Sequence, residues 1–460
     1  MYEFVREIND HLWKRLIPFW KGLKDDRYGG FYGYMGYDRK VCPTYEKGCI
    51  LNSRILWFFS NVSLLIQGKG TLPVVEQSGN AAANSGKRGK IAHAVPASAD
   101  LAASADDINN AATHAYHFLR DVCLDRECGG VYWSVTYDGR PKDATKHTYN
   151  QAFAIYALAS YYDATGEEEA LQLAFDLQRV IEEKCTDEYG YMEAFDREFR
   201  PVSNEKLSEN GVMAEKTMNT LLHVFEAYTE LYRVTETVYV DFISAEPLRN
   251  DRECGARPDN CSAAAHADSV HAFTGDRLRA MLDRIAETIY NPVLCRQEVF
   301  FDRKWNSLID LHSYGHDIET AWLVDRGLDL LRDREYTERL RPITAALSRK
   351  VCESAYRGHS LLNEAENGKQ DTTRVWWVQA EAVVGFVNAW QRQPGALHYL
   401  SAAMDIWNYI KTTMVDPREG SEWFWSVDET GIPSQKPIVE PWKCPYHNGR
   451  MCLEILKRLS

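Results

Sequence analysis

The segment SYGHDIETAW, residues 313–322, places a histidine, a carboxylate and an indole three residues apart. On an α-helix this spacing puts His316, Glu319 and Trp322 on one face. Such a face could be core packing, a metal site or acid–base machinery around a ring-shaped ligand. Zinc-binding helices usually carry two histidines four residues apart, and this segment has neither that pair nor clustered cysteines. The spacing therefore favours acid–base chemistry over a metal site.

Five other predicted helix starts carry side chains of the same kinds. In chain order these further candidates are Arg54, Tyr149, Asn219, His223, Trp377, Glu381, Trp442 and His447. Asn219 and His223 lie four residues apart and so share a helix face. For His223 alone, a hydrogen-bonded core position is as well supported as a functional one. Glu381 lies within the apolar run VWWVQAEAVVGFV and needs a buried polar partner.

If these six helix starts meet, they form a funnel lined by three histidines, two carboxylates, an arginine and several indoles. Glycoside hydrolysis usually needs two opposed carboxylates. Here the conspicuous titrating groups are histidines, which change charge near neutral pH. Two histidines facing one carbon can remove and return a proton beside a carbonyl. That chemistry is epimerisation or aldose–ketose isomerisation.

The elements that must position these residues repeat along the chain. A helix that ends at a glycine is followed by a second helix and then by a segment rich in glycine and aromatic residues. This segment occurs six times, at 27–35, 128–135, 189–195, 298–305, 356–364 and 421–427. Because a helix pair cannot bury its apolar face alone, the pairs must stack. Six pairs predict an all-α (α/α)6 barrel, and an open solenoid is the less favoured alternative.

The whole chain, residues 1–460, is predicted to be one catalytic domain. Two stretches interrupt the repeats, near 67–106 and 235–273, and both are rich in small or irregularly spaced residues. Both fall where other units have only a short turn from an inner to an outer helix. They are predicted to be long loops on the side opposite the funnel, and we assign them no chemical role.

Composition excludes several classes of protein. The net charge of −13 argues against a nucleic-acid partner, which would need a basic surface. The N-terminus lacks the features of a signal peptide, and the apolar run CILNSRILWFFSNVSLLI is interrupted by polar residues, so no membrane partner is expected. The 11 cysteines include no CxxC pair, which favours free thiols and a cytoplasmic location. We expect a monomer or a weak homodimer.

Five motifs occur along the chain in this order: KHTYNQAFAIYALASYYDATG, LSENGVMAEKTMNTLLHVFEAYTELYR, YGHDIETAWL, RVWWVQAEAVVGF and EPWKCPYHNGRM. They closely resemble the cellobiose 2-epimerases, which belong to the wider N-acylglucosamine 2-epimerase superfamily of (α/α)6 barrels. The resemblance implies acid and base roles at C2 for His316 and His447, and a place near the reducing-end sugar for His223. It implies that the other candidates hold the sugar or orient the histidines: Arg54, Tyr149, Asn219, Glu319, Trp322, Trp377, Glu381 and Trp442.

The reaction implied by this resemblance is reversible epimerisation of cellobiose to glucosyl-mannose, with no cofactor and no metal ion. Related β-1,4 disaccharides such as lactose or mannobiose are expected to be accepted. The alternatives are another isomerase of the same superfamily, acting on N-acylglucosamine or mannose, an (α/α)6 glycoside hydrolase or lyase, and a non-catalytic sugar-binding protein.

Overall fold

The computed structural model describes residues 1–69, 98–244 and 259–459. Within them, outer and inner helices alternate along the chain. In chain order they are α1 (Tyr2–His11), continued by a π-helical turn (Leu12–Leu16) and α2 (Ile17–Lys21); α3 (Cys49–Ile66); α4 (Ser98–Phe118) with a π-helical turn (Leu119–Cys123); α5 (Thr148–Thr165); α6 (Glu168–Lys184); α7 (Met218–Ser244); α8 (Asp259–Arg284) with a π-helical turn (Ile285–Ile289); α9 (Tyr314–Leu331); α10 (Arg334–Ala355); α11 (Trp376–Arg392); α12 (Leu397–Tyr409) with a π-helical turn (Ile410–Met414); and α13 (His447–Leu459).

The inner helices α3, α5, α7, α9, α11 and α13 form a closed ring. Each contacts the next inner helix and one outer helix, and α13 packs against α11, α3 and α1. Contact between the first and last inner helices closes the ring, which an open solenoid would not do. The predicted (α/α)6 barrel is therefore confirmed.

The inner helices are buried on nearly every side because they lie between the barrel axis and the outer ring. The first of them, Cys49–Ile66, is the one described helix long and apolar enough to span a membrane, and 89% of it is buried inside the protein. Its apolar composition is accounted for by this position in the core.

Short antiparallel strand pairs join the repeats at the end of the barrel where the inner helices begin. The pairs are Lys47–Gly48 with Ser134–Val135, which also pairs with Pro141–Asp143; Lys146–His147 with Ala194–Phe195; Thr186–Asp187 with Gly190–Tyr191; Lys216–Thr217 with Phe300–Phe301; Tyr290–Asn291 with Arg296–Gln297; Leu311–Ser313 with Glu364–Glu366, which also pairs with Lys369–Asp371; Tyr356–Arg357 with Ser360–Leu361; and Arg374–Val375 with Ser426–Val427. Each strand that leads into one of the first five inner helices pairs with the following repeat, and an isolated bridge between Met35 and Val439 joins the first repeat to the last.

A buried cation two residues before an inner helix fixes several of these connections. In the first three units it is a lysine bonded to an aspartate in or just before the glycine–aromatic segment. The pairs are Lys47–Asp25 (2.6 Å), Lys146–Asp125 (3.1 Å) and Lys216–Asp187 (2.9 Å). His312 and Arg374 occupy the same position before α9 and α11. These pairs therefore fix the connection from outer to inner helix within each of these units, on the side where the candidate residues lie.

The two predicted loops are shorter than expected. Residues 98–106 belong to α4, and the predicted loop at 235–273 is helical as far as Ser244 and again from Asp259. The difference has a physical origin. Stretches such as SADLAASADD and SAAAHAD have low complexity, which resembles irregular structure, but they are rich in alanine, the best helix former. The central parts of both predicted loops, 70–97 and 245–258, lie outside the described residues.

Candidate active site

A cavity of about 460 Å³ opens at the end of the barrel where the inner helices begin. The helix starts converge there because the ring is closed and every inner helix runs in the same direction. Nine of the eleven predicted site residues line this cavity: Arg54, Tyr149, Asn219, His223, His316, Glu319, Trp377, Trp442 and His447. The six helix starts that the sequence identified separately therefore meet at one site.

His447, the first residue of α13, is held by a carboxylate from α11. Its Nδ1 lies 2.8 Å from Oε1 of Glu381 and 4.0 Å from Oε1 of Glu319. A carboxylate at Nδ1 favours the tautomer that donates from this nitrogen, which leaves Nε2 as an acceptor. The side chain of His447 is nearly buried, with its ring against Trp376 and Trp377.

The other two histidines have different partners. His223 Nδ1 lies 3.0 Å from Oε2 of Glu226, one helical turn further along α7. His316 Nδ1 lies 2.7 Å from the hydroxyl oxygen of Ser313. A hydroxyl can donate or accept, so Ser313 leaves the tautomer of His316 free to change, whereas a carboxylate fixes that of His223.

One arginine that sequence analysis missed joins three carboxylates beneath the histidines. Arg450 Nη1 donates to Oε1 of Glu226 at 2.5 Å, and its Nη2 donates to Oε1 of Glu381 at 2.6 Å and to Oε1 of Glu319. We call Arg450, Glu226, Glu319 and Glu381 the cavity layer. The signal was present in the sequence, because Arg450 follows His447 by three residues and Glu226 follows His223 by three.

The same arginine bears on the choice between a metal and acid–base chemistry. Glu319, Glu381 and His447 each place a potential ligand atom within 4.8 Å of the others, a grouping that could hold a metal ion. Arg450 Nη2, however, bonds to Oε1 of both carboxylates, so a guanidinium occupies the position between them that a cation would take. The donor set is already neutralised in part by a fixed organic cation, which favours acid–base chemistry.

Burial keeps two of the histidines neutral. The pKa of His316 is lowered to about 3, chiefly by burial and then by the nearby His223. Burial, followed by the positive charges of Arg450 and Arg54, holds the pKa of His447 well below its usual range. Both imidazoles are therefore uncharged at neutral pH and can accept a proton.

The three carboxylates of the cavity layer differ in pKa. Burial alone would raise the pKa of Glu226, but Arg450 and His223 hold it at about 2. Burial, with the charge of Glu381, raises the pKa of Glu319 to about 7. Burial also raises the pKa of Glu381, although Arg450 opposes this effect. One guanidinium does not balance three carboxylates, so the layer keeps a proton that exchanges near neutral pH.

Several polar atoms on the cavity wall are available to a ligand. Arg54 Nη2 donates to the hydroxyl of Tyr149 at 2.7 Å, and burial raises the pKa of that tyrosine to about 12. Asn219 Oδ1 and Glu319 Oε2 are buried and have no hydrogen-bond partner among the described residues. Buried acceptors without partners are costly, and hydroxyl groups of a ligand would satisfy them.

Two indoles form apolar surface on the cavity wall. The ring centre of Trp377 lies 4.8 Å from that of His316 and 5.4 Å from that of His447. Trp442 packs against Tyr149 at 6.0 Å. These rings offer flat apolar faces directly beside the polar groups.

Two predicted site residues, Trp322 and Glu381, do not line the cavity. Both are fully buried behind its wall. The prediction that Trp322 belongs to the sugar-facing wall is therefore wrong. Its Nε1 donates to Oε2 of Glu381 at 2.9 Å, and its ring packs against Arg450. The indole thus supports the carboxylate that holds His447. Glu381 in turn orients His447 and does not face the cavity.

The mouth of the cavity carries residues that sequence analysis did not single out. They include Lys206, Glu209, Asn363, Glu364, Asp371, Trp425 and Lys436. The ammonium group of Lys436 lies 3.7 Å from the ring centre of Trp425. All seven come from connections between outer and inner helices, where no helical periodicity marks which side chain faces the cavity.

Comparisons with known proteins identify the family and agree with the fold. A family model described as N-acylglucosamine 2-epimerase (GlcNAc 2-epimerase) matches residues 91–238 and 261–449. The cellobiose 2-epimerase of Eubacterium cellulosolvens is 44% identical over 446 residues, which cover 97% of this chain and 96% of that protein.

Solved structures give the same result. A sugar epimerase from a ruminal bacterium is 40% identical, with a TM-score of 0.82 and 99% of each chain covered. The cellobiose 2-epimerase of Bacillus thermoamylovorans B4167 is 38% identical, with a TM-score of 0.80 and full coverage of both chains. The chain therefore belongs to the N-acylglucosamine 2-epimerase family.

Proposed function

We propose that this protein reversibly epimerises the reducing-end glucose of cellobiose at C2, giving glucosyl-mannose, and that it also accepts related β-1,4 disaccharides such as lactose and mannobiose. The observation that carries this proposal is the set of three histidines around one cavity, two of them held by carboxylates through Nδ1. Similarity to proteins named cellobiose 2-epimerases, at 38–44% identity over nearly the whole chain, supports the choice of substrate.

The reaction begins when the sugar ring opens to the free aldehyde. One of His316 and His447, in its neutral form, then takes the proton from C2, and the electron pair of the C–H bond moves into an enediolate. After rotation about C2–C3 has exposed the other face, the other histidine takes up a proton from solvent and passes it to C2. Burial favours both transfers, because it keeps the base neutral and makes the imidazolium a strong acid.

The groups on the cavity wall stabilise the charge that develops on the enediolate oxygens. Arg54 supplies a buried guanidinium, and its Nε has no hydrogen-bond partner among the described residues. The inner helices also direct their N-terminal ends, which carry partial positive charge, toward the cavity. Asn219 and Tyr149 hold hydroxyl groups, and the faces of Trp377 and Trp442 pack against the apolar faces of the two sugar rings.

The test is solvent exchange during turnover of cellobiose in deuterated water. We expect glucosyl-mannose with deuterium at C2, because the proton that C2 receives comes from a histidine that has exchanged with the solvent. Product without deuterium at good turnover would contradict the enediolate route. His316→Ala and His447→Ala serve as controls, and both should lose product and exchange together.

Parallel incubations separate the other members of the family from this proposal. Faster turnover of N-acetylglucosamine or mannose than of cellobiose would move the substrate to a monosaccharide. Release of glucose would indicate hydrolysis. The site favours epimerisation over hydrolysis, since three histidines line the cavity and can remove and return a proton at C2.

A further inference from the structure

Arg450 is placed where one side chain controls two histidines. Its guanidinium is fully buried and lies against the rings of Tyr446 and Trp322. Nη1 bonds to Glu226, the carboxylate that holds His223, and Nη2 bonds to Glu381, the carboxylate that holds His447. No other described side chain bonds to both of these carboxylates.

Arg450 binds carboxylate oxygens that lie on or next to the oxygens facing the two histidines. At Glu381, Oε1 is shared between Arg450 and His447, while Oε2 accepts from Trp322. At Glu226, Oε1 accepts from Arg450, and Oε2 faces His223 and also accepts from the hydroxyl of Tyr446. The two ends of the planar guanidinium fork thus bind different carboxylates, with one bond each to Glu226 and Glu381, and hold them at a fixed separation. A lysine would supply the charge without the fork.

We propose that Arg450 is a positioning residue that, through Glu381 and Glu226, fixes the Nδ1–H tautomers and the ring orientations of His447 and His223. The inference rests on the proposed function, since it describes how the same site is prepared for proton transfer. Arg450 itself does not line the cavity and touches no reacting atom.

The charge around His447 comes from several helices, and all of it bears on the pH at which this residue works. Carboxylates face it from α9 and α11, cations from α3 and α13, and further imidazoles from α7 and α9; these groups are Glu319, Glu381, Arg54, Arg450, His223 and His316. Because Arg450→Lys keeps the positive charge, it separates the geometry of the fork from its electrostatic effect.

The matched control is a second arginine, largely but not fully buried, one layer further along the inner helices. Arg326 on α9 bonds to Glu230, which also takes Arg233 at 2.7 Å. We call Glu230, Arg233 and Arg326 the floor layer. Neither arginine of this layer contacts a histidine of the cavity or a carboxylate that holds one, so Arg326→Lys removes a buried fork without touching the catalytic histidines.

The experiment compares Arg450→Lys and Arg326→Lys by kcat and KM on cellobiose across pH, and by ¹⁵N NMR of labelled histidines in the ligand-free protein. We expect Arg450→Lys to lower kcat by about 10²-fold with KM within about threefold, and to give mixed tautomers at His447 and His223. Arg326→Lys should keep kcat within about threefold and keep both Nδ1–H tautomers, even if its melting temperature falls.

Three results would overturn the proposal: folded Arg450→Lys with normal kcat, unchanged tautomers in that variant, or equal losses of kcat in the two variants. If Arg450→Lys does not fold, Glu381→Gln tests the link to His447 and Glu226→Gln tests the link to His223. Each should release the tautomer of its own histidine and leave the other fixed, and release of both or neither contradicts the inference. The NMR result does not depend on the substrate, so failure of the proposed function would be seen independently in the cellobiose assay.

Discussion

Two layers of charged side chains lie inside the barrel. Both contain glutamate and arginine, but they differ in function. In the cavity layer, three carboxylates share one arginine, and the pKa of Glu319 rises to about 7. In the floor layer, one carboxylate, Glu230, is shared by two arginines, which lower its pKa although burial alone would raise it. Arg233 also binds Asp163 at 2.5 Å. Carboxylates therefore outnumber guanidinium groups three to one in the cavity layer, whereas the two arginines of the floor layer face two carboxylates.

This difference indicates what each layer can do. Two guanidinium groups at Glu230 hold the floor carboxylate ionised and leave it no proton to exchange near neutral pH, so that layer serves stability. An excess of carboxylates leaves the cavity layer with a group that gains and loses a proton near neutral pH, next to histidines. Burial and residue type alone do not distinguish a structural charge cluster from a functional one; the balance of charge does.

Replacement of His447 tests whether the cavity layer serves proton transfer. His447→Ala should lower kcat on cellobiose by about 10⁴-fold, because the residue that gives or takes the C2 proton is lost. Its melting temperature should stay close to that of the wild type. Steady-state kinetics and thermal unfolding on the same preparation provide the measurement, and turnover within tenfold of the wild type would remove His447 from the mechanism.

Changing one carboxylate to an amide in each layer separates a catalytic role from a structural one. Glu381→Gln should lower kcat by about 10²-fold with little change in stability, since the amide no longer fixes the tautomer of His447. Glu230→Gln should destabilise the fold by about 3 kcal/mol, since Arg326 loses the carboxylate that it binds and Arg233 keeps only Asp163, while kcat of the folded fraction is kept. Urea unfolding and kinetics of both variants measure this, and identical behaviour of the pair would contradict the division of roles.

The pH dependence of stability should have opposite signs in the two layers. Glu319 has a pKa of about 7 in the folded protein against an ordinary value of 4.5, so its contribution is fully present below 4.5 and is lost as pH rises through 7. Glu319→Gln cannot ionise, so it should gain stability over the wild type between pH 5 and pH 8, by at most about 3 kcal/mol.

The floor carboxylate should behave in the other direction. The pKa of Glu230 is lowered in the folded state, so its contribution is present above the unfolded value and is lost as pH falls. Unfolding free energies of the wild type, Glu319→Gln and Glu230→Gln at pH 4, 6 and 8 check both signs. A stability difference between Glu319→Gln and the wild type that does not vary with pH would mean that Glu319 does not titrate in this range.

The smallest effect concerns the indole behind the cavity wall. Trp322→Phe removes the donor to Glu381 and should lower kcat about threefold while KM for cellobiose stays the same, because Trp322 does not contact the ligand. Trp377→Phe, on the wall itself, should instead change KM. A change of KM in Trp322→Phe larger than that in Trp377→Phe would restore Trp322 to the binding surface.

The sequence was sufficient for the architecture and for most of the cavity wall. Helical periodicity and the six glycine–aromatic segments predicted the ring, and a closed ring brings helix starts such as those of His316 and His447 to one place. The two loop boundaries were wrong because alanine-rich helices have low complexity, which resembles irregular structure.

What the sequence could not supply is the direction in which buried side chains point. An inner helix is apolar on nearly every side, so its pattern does not separate the face toward the cavity from the faces toward its neighbours. For this reason the pattern does not show that Trp322 points away from the cavity, nor that Arg450 and Glu226, each one turn beyond a predicted histidine, point toward the same buried layer. The residues at the cavity mouth, such as Lys436, lie in connections between helices, where no helical periodicity shows which side chains face the cavity.

The strand pairs tie the repeats together along the rim of the barrel that holds the cavity, and the lysine–aspartate pairs fix the connections on that rim. The turns from inner to outer helices, such as those after α5 and α9, lie on the other rim. Loop closure costs free energy only with the logarithm of loop length. Chain can therefore be added to or removed from the rim opposite the cavity during evolution without moving any histidine, and the family can vary in length while the geometry of proton transfer stays the same.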